Sequence, residues 1–137
     1  MADAKKLILE EADGSLSFGN HKLDTKAKLE DFKYKGDLLK VKTYKIMTKL
    51  EKNGLFVYES VPGTTVSHFV ESPDGLSFRV NGDEDAQITV GLEDNQAYLV
   101  TVDGEEAGAV QANMSGKVDF SVELSGNQGV QVEVRKV

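Results

Sequence analysis

Ala97-Tyr98-Leu99-Val100-Thr101-Val102-Asp103-Gly104-Glu105-Glu106-Ala107-Gly108-Ala109-Val110-Gln111 reads as strand, turn and returning strand. Side chains on both sides of Asp103-Gly104 follow a two-residue period, and this dipeptide suits the two positive-φ positions of a type I′ turn. Leu99–Val102 is therefore expected to pair antiparallel with Ala107–Gln111. Moving outward, Leu38–Lys45 sets Leu39, Val41 and Thr43 against Lys40, Lys42 and Tyr44. In Leu55–Ser60 the same period puts Phe56, Tyr58 and Ser60 on one face and Leu55, Val57 and Glu59 on the other. Val66–Glu71, Leu76–Val80, Gln87–Leu92, Val118–Leu124 and Val130–Val134 alternate in the same way. Between these runs lie Pro62-Gly63, Pro73-Asp74-Gly75, Asn81-Gly82-Asp83, Ser115-Gly116 and Ser125-Gly126-Asn127, all with turn chemistry.

One phrase occurs three times: a turn glycine, then an alternating strand ending on Phe. It is seen at Gly14–Phe18, Gly75–Phe78 and Gly116–Phe120, so Phe18, Phe78 and Phe120 are expected to face a core. Two short segments break the pattern. Asp24 is placed to cap a helix over Thr25–Leu29, giving an expected helix at Asp24–Asp31, and Met47–Lys52 could add one turn.

With 137 residues and 39% apolar side chains, the chain is long enough to bury a sizeable core. It has no cysteine, which excludes disulfides, a thiol nucleophile and cysteine-ligated metals. Leu7-Ile8-Leu9 is too short an apolar run for a leader peptide or a membrane span, so the expectation is a cytoplasmic protein without a membrane partner. Charge divides sharply along the chain. Residues 1–52 carry twelve Lys against nine acids, giving +3, while residues 53–137 carry four basic side chains against fourteen acids, giving −10. A nucleic-acid reader combines net positive charge with clustered arginine. Here the Lys-rich part has no arginine and the chain is −7 overall, so no nucleic-acid partner is expected.

The expected fold is all-β: an N-terminal β-meander (1–53) packed on a C-terminal immunoglobulin-like antiparallel β-sandwich (54–137), with 1–137 as one cooperative unit. The sandwich part of this reading draws on a resemblance. Leu92, six residues before Tyr98 at the head of an alternating strand, resembles the tyrosine corner of fibronectin type III and other immunoglobulin-like sandwiches. That resemblance implies a buried Tyr98 whose hydroxyl bonds to upstream backbone. The stretch from Asp85 to Val137 also looks like β-sandwich modules attached to polysaccharide-degrading enzymes, modules that are commonly non-catalytic.

Across nearly its whole length the chain resembles a group of short proteins from intestinal anaerobic bacteria that are labelled endosialidase. The similarity is carried by Glu11–Gly19, Phe56–Thr64 and Glu84–Thr89. The label implies an arginine cluster gripping a sialic acid carboxylate, a Tyr nucleophile with a Glu partner, and an Asp acid/base. Only Arg79 and Arg135 are present, on different expected strands, and lysine does not reproduce bidentate carboxylate binding. The chain is accordingly read as non-enzymatic.

Other chemistry is equally sparse. His21 and His68 are the sole imidazoles, there is no Gly-x-Ser-x-Gly elbow, and no glycine loop suited to phosphate leads into a helix, so no cofactor is expected. Asn81-Gly82-Asp83-Glu84-Asp85 is the best oxygen-ligand cluster but lacks EF-hand spacing and reads as a solvated acidic turn. Tyr34, Tyr44 and Tyr58 are the candidate carbohydrate-binding residues; the alternative places them over the seam between the two parts. The functional expectation is a non-catalytic binding or structural module that self-associates through its sheet edges or meets a protein partner, with a carbohydrate-binding accessory role in a glycan-handling system, or a small glycan-active enzyme, as the alternatives.

Overall fold

The computed structural model describes residues 7–125 and 128–137. Ser125-Gly126-Asn127, expected as a turn, lies partly outside the described residues. Thirteen strands and no helix occur among the described residues. They are β1 Ile8–Glu10, β2 Leu16–Phe18, β3 Ala27–Tyr34, β4 Asp37–Thr43, β5 Thr48–Lys52, β6 Leu55–Val61, β7 Thr65–Ser72, β8 Gly75–Asn81, β9 Ala86–Gly91, β10 Ala97–Val102, β11 Glu105–Gln111, β12 Lys117–Val122 and β13 Val130–Lys136. Two antiparallel sheets pack as a sandwich, one ordered β1-β2-β7-β8-β13-β10-β11 and the other β12-β9-β6-β5-β4-β3. Among the described residues no helix is long and apolar enough to cross a membrane.

Asp103 (φ 51) and Gly104 (φ 84) form the expected turn, and β10 pairs with β11 from Ala97↔Gln111 to Val102↔Glu105. Neither expected helical segment is a helix, and most of each lies in a strand. Residues 27–34 pair with β4, and residues 48–52 pair with both β4 and β6. Local helix propensity is a weak prior, and a stretch this short cannot form a stable helix without tertiary support, which here comes from the ladder. A register shift between Leu29 and Phe32, with Asp31 at φ 59, explains why β3 shows no clean alternation in sequence.

The N-terminal part is not a separate layer packed on a sandwich. β3, β4 and β5 continue the same sheet as β6, while the β1–β2 hairpin extends the other sheet from β7. Between residues 52 and 55 the chain makes a tight hairpin turn through Asn53 (φ 52) and Gly54 (φ 81), so this is no interdomain linker. One core serves both parts. Phe18 of β2 meets the Tyr58 ring at 5.2 Å edge-on, and Tyr58 meets Phe78 at 5.6 Å, also edge-on. Phe69 completes this aromatic group across the two sheets. Phe18, Phe78 and Phe120 are all buried, as the repeated phrase requires.

The buried hydroxyls around Thr64 are matched. Thr64 Oγ1 lies 2.7 Å from both Tyr58 Oη and Ser60 Oγ, and Thr48 donates to the Thr64 carbonyl. Tyr98 is buried, and its hydroxyl accepts from the Glu93 amide at 3.1 Å, the upstream backbone contact expected of a tyrosine corner.

Candidate functional site

The three tyrosines do not form a platform. Tyr58 has no exposed surface, because a buried β6 position turns its ring into the aromatic core and its hydroxyl onto Thr64. Tyr34 pairs with Asp37 at one end of the β3–β4 ladder, whereas Tyr44 follows Thr43, whose partner Ala27 marks the other end. Strand rise puts roughly 20 Å between them. Tyr34 donates to the Gly14 carbonyl at 2.6 Å, fastening β3 to the turn before β2, and Lys26 lies over the Tyr44 ring.

A serine, a histidine and an aspartate do meet in space. Ser15 Oγ is 3.1 Å from His68 Nδ1, and Asp13 Oδ2 is 3.4 Å from the same nitrogen. A nucleophilic relay needs the two ring nitrogens to serve different partners. Here one nitrogen faces both groups, and the buried Ser15 hydroxyl already donates to Asp13 Oδ1 at 2.6 Å. That bond, together with one donated by the Ser15 backbone amide to the same oxygen at 2.9 Å, holds the Asp13 carboxyl below its usual range. His68 is also no ordinary ladder residue. It sits at φ 53 where the β7–β8 register shifts, and this extra residue returns Phe69 to the core. The cluster thus ties the β1–β2 turn to a bulge.

His21 is buried, with Nδ1 2.6 Å from Thr65 Oγ1, and burial keeps its pKa below the usual imidazole value. Its Nε2 has no hydrogen-bond partner among the described residues and lies 3.6 Å from Asp83 Oδ1. That oxygen accepts from Lys22 Nζ at 2.8 Å, which holds Asp83 below the usual carboxylate range. Asp85 instead accepts from the Leu124 amide. The acids of the 81–85 loop therefore face different partners, and no three metal-ligating side chains converge among the described residues. Arg79 donates to the Gly129 carbonyl and Arg135 to Glu133. Their partners Gln131 and Gly75 place them four residues apart along the β8–β13 ladder, roughly 13 Å, too far to grip one carboxylate together.

What the fold does assemble is a charge gradient. Register places Lys28 opposite Lys42, Lys42 opposite Lys49, and Lys49 opposite Glu59. The row continues through Thr89 to Asp119 on the far edge, where Thr89 donates to the Asp119 carboxylate. Neighbouring Val41, Leu50, Tyr58, Val90 and Val118 are buried, so this row lies on the outer face. Opposed cross-strand side chains have Cβ atoms about 5 Å apart, where like charges are destabilising. Lys28 and Lys49 lean onto Glu30 and Glu51 at 3.5 and 3.6 Å, leaving the central Lys42 with no carboxylate partner among the described residues. Sequence alternation identified Lys40 and Lys42, but the helical reading of residues 24–31 hid Lys28 from the row.

Acids gather at the opposite flank. Asp103, Glu105 and Glu123 line a groove of about 310 Å³ between β11 and β12, floored by Val102, Val122 and Val130. Asp103 accepts from the Gln131 amide, while Glu105 and Glu123 have no basic partner among the described residues. Comparison with protein-family profiles, curated proteins and solved structures found no match to this chain.

Proposed function

We propose that the protein is a non-catalytic binding and structural module that associates with further copies of itself, the lysine row of one copy facing the acidic flank of the next. The observation carrying this reading is that the two oppositely charged parts do not neutralise each other. Lysine pairs at Glu30, Asp24 and Glu51 stay inside the first part, and among the described residues only Lys22–Asp83 and Lys52–Glu71 join a first-part lysine to the second. Because the two surfaces lie on different flanks, such contacts are heterologous, building rings or open chains.

Sheet edges shape the contact. β3 and β11 are guarded by register shifts, and β1 has only three residues. β12 pairs with β9 through six positions in unbroken register, and it borders the acidic groove, so it is the edge suited to strand addition. Kinship with immunoglobulin-like sandwiches is supported by the Tyr98 contact.

Light scattering of the purified protein at about 0.02 M and about 0.5 M salt tests this reading, since screening shortens the reach of exposed charges. The expected result is a mass above the 14.9 kDa monomer at low salt that falls to it at high salt. Lys42→Glu should be monomeric at both. A monomer at low salt over all accessible concentrations overturns the proposal.

A further inference from the structure

A second surface, at the open end of the sandwich where β5 turns into β6, is built from different chemistry. A cleft of about 510 Å³ opens there between the β5–β6 hairpin on one side and Leu92, Ser115 and Lys117 on the other. This volume falls in the range of small-molecule sites. Its shape follows from a bulge: Leu50 faces Tyr58 and Glu51 faces Phe56, which leaves Val57 as an extra residue in β6. Val57 and Tyr58 are consequently both buried, contrary to the alternation expected from sequence, and Leu55 is pushed to the mouth with 72% of its surface exposed. Bulges commonly re-aim side chains beside binding sites.

Gly91 lines the far wall, and Gly116 lies in the chain between its lining residues Ser115 and Lys117. A Cβ on Gly91 would lie 2.5 Å from the Phe56 carbonyl oxygen, and one on Gly116 (φ +78) would lie 2.3 Å from that of Leu92. Their lack of a side chain lets the strand ends approach until Lys117 Nζ stands 4.6 Å above the Phe56 ring. No carboxylate neutralises Lys117 among the described residues, whereas the neighbouring Lys52 donates to Glu71 at 2.7 Å. The cleft therefore combines apolar walls with one uncompensated cation. A neutral apolar ligand would strip water from that cation without replacing it, and a cationic ligand would be repelled.

We propose that this cleft binds an amphiphilic monoanion, a carboxylate or sulfonate on an aryl or aliphatic body, with the anion at Lys117 Nζ and the body over Leu55, Phe56 and Leu92. The site is independent of the lysine row, which lies on the outer sheet face. Titration with anilinonaphthalene sulfonate tests it. Fluorescence should rise saturably with one-to-one stoichiometry, and octanoate should displace the dye while octyl glucoside does not. Lys117→Met should weaken binding about tenfold, the worth of one charge-assisted contact, and Lys117→Arg should restore it. Lys42→Glu should leave the titration unchanged even if it abolishes self-association. Circular dichroism and denaturant midpoints matching the parent establish that each variant is folded. No saturable rise, equal displacement by octyl glucoside, or unchanged affinity in folded Lys117→Met overturns the proposal.

Discussion

The two halves of the six-stranded sheet share one hydrogen-bonding pattern and differ in almost everything else. In the β6-β9-β12 half, Tyr58, Ile88, Val90 and Val118 are fully buried, and the outward row carries Glu59, Thr89 and Asp119. In the β3-β4-β5 half the outward row is lysine, and coverage fails toward the edge. Leu29 pairs with Val41, yet Leu29 is 38% exposed and Val41 fully buried. At that edge the facing sheet ends in the three-residue strand β1, so β3 has little to pack against. An apolar residue in a well-made ladder thus gains burial only where a strand lies opposite. The under-covered half is also the cation-rich one.

The most severe test of this contrast removes the ring that joins both parts. Tyr58→Ala should cost about 3–5 kcal/mol, as large-to-small core substitutions do, and calorimetry of the parent should give one transition. Two separable transitions, or a stably folded fragment 1–53, would show that the halves are autonomous. Tyr98→Ala should cost a similar amount, but Tyr98→Phe only about 1 kcal/mol, the worth of one hydrogen bond. Equal denaturation midpoints for parent and both variants would contradict a buried corner. Thr64→Val leaves the Tyr58 and Ser60 hydroxyls without their shared partner and should cost about 1–3 kcal/mol by urea denaturation.

On the lysine side the sign reverses. Lys42→Gln relieves like-charge contact on two sides and should stabilise by about 0.5 kcal/mol, an advantage that fades in salt. Destabilisation would mean that Lys42 has a packing role the contrast ignores. The smallest expected effect concerns pH. Burial holds His21 below its usual value, so its neutral form belongs to the folded state. Its contribution is present above the unfolded pKa of about 6.5 and is lost as pH falls through the lower folded value. Asp13 and Asp83 add a further loss at more acidic pH, because both carboxyls are held low in the fold. Stability curves of His21→Gln and parent should converge on acidification from neutral pH and run parallel above it. Parallel curves throughout would remove His21 from the account.

Much of the fold was legible because strand period and turn chemistry are local. Asp103-Gly104 specified its own hairpin, and the phrase ending at Phe18, Phe78 and Phe120 located three core residues. Where sequence reading failed, a bulge was usually responsible. Extra residues at Asp31, Val57 and His68 each break the two-residue period, and nothing in their side chains announces it. The tyrosine trio failed for a related reason, since an alternating strand does not state which of its faces meets the core.

By itself, then, the sequence determined an antiparallel all-β chain, its main hairpins, its Phe core positions and the opposite charge of its two parts, because these depend on neighbours within a few residues. Only the tertiary structure decided that the Lys-rich part shares both sheets with the rest, that Lys28, Lys42 and Lys49 fall in one row, and that Lys117 stands over Phe56. Those facts depend on register between distant strands, and register is set by which bulges and which opposing sheet let the whole core close.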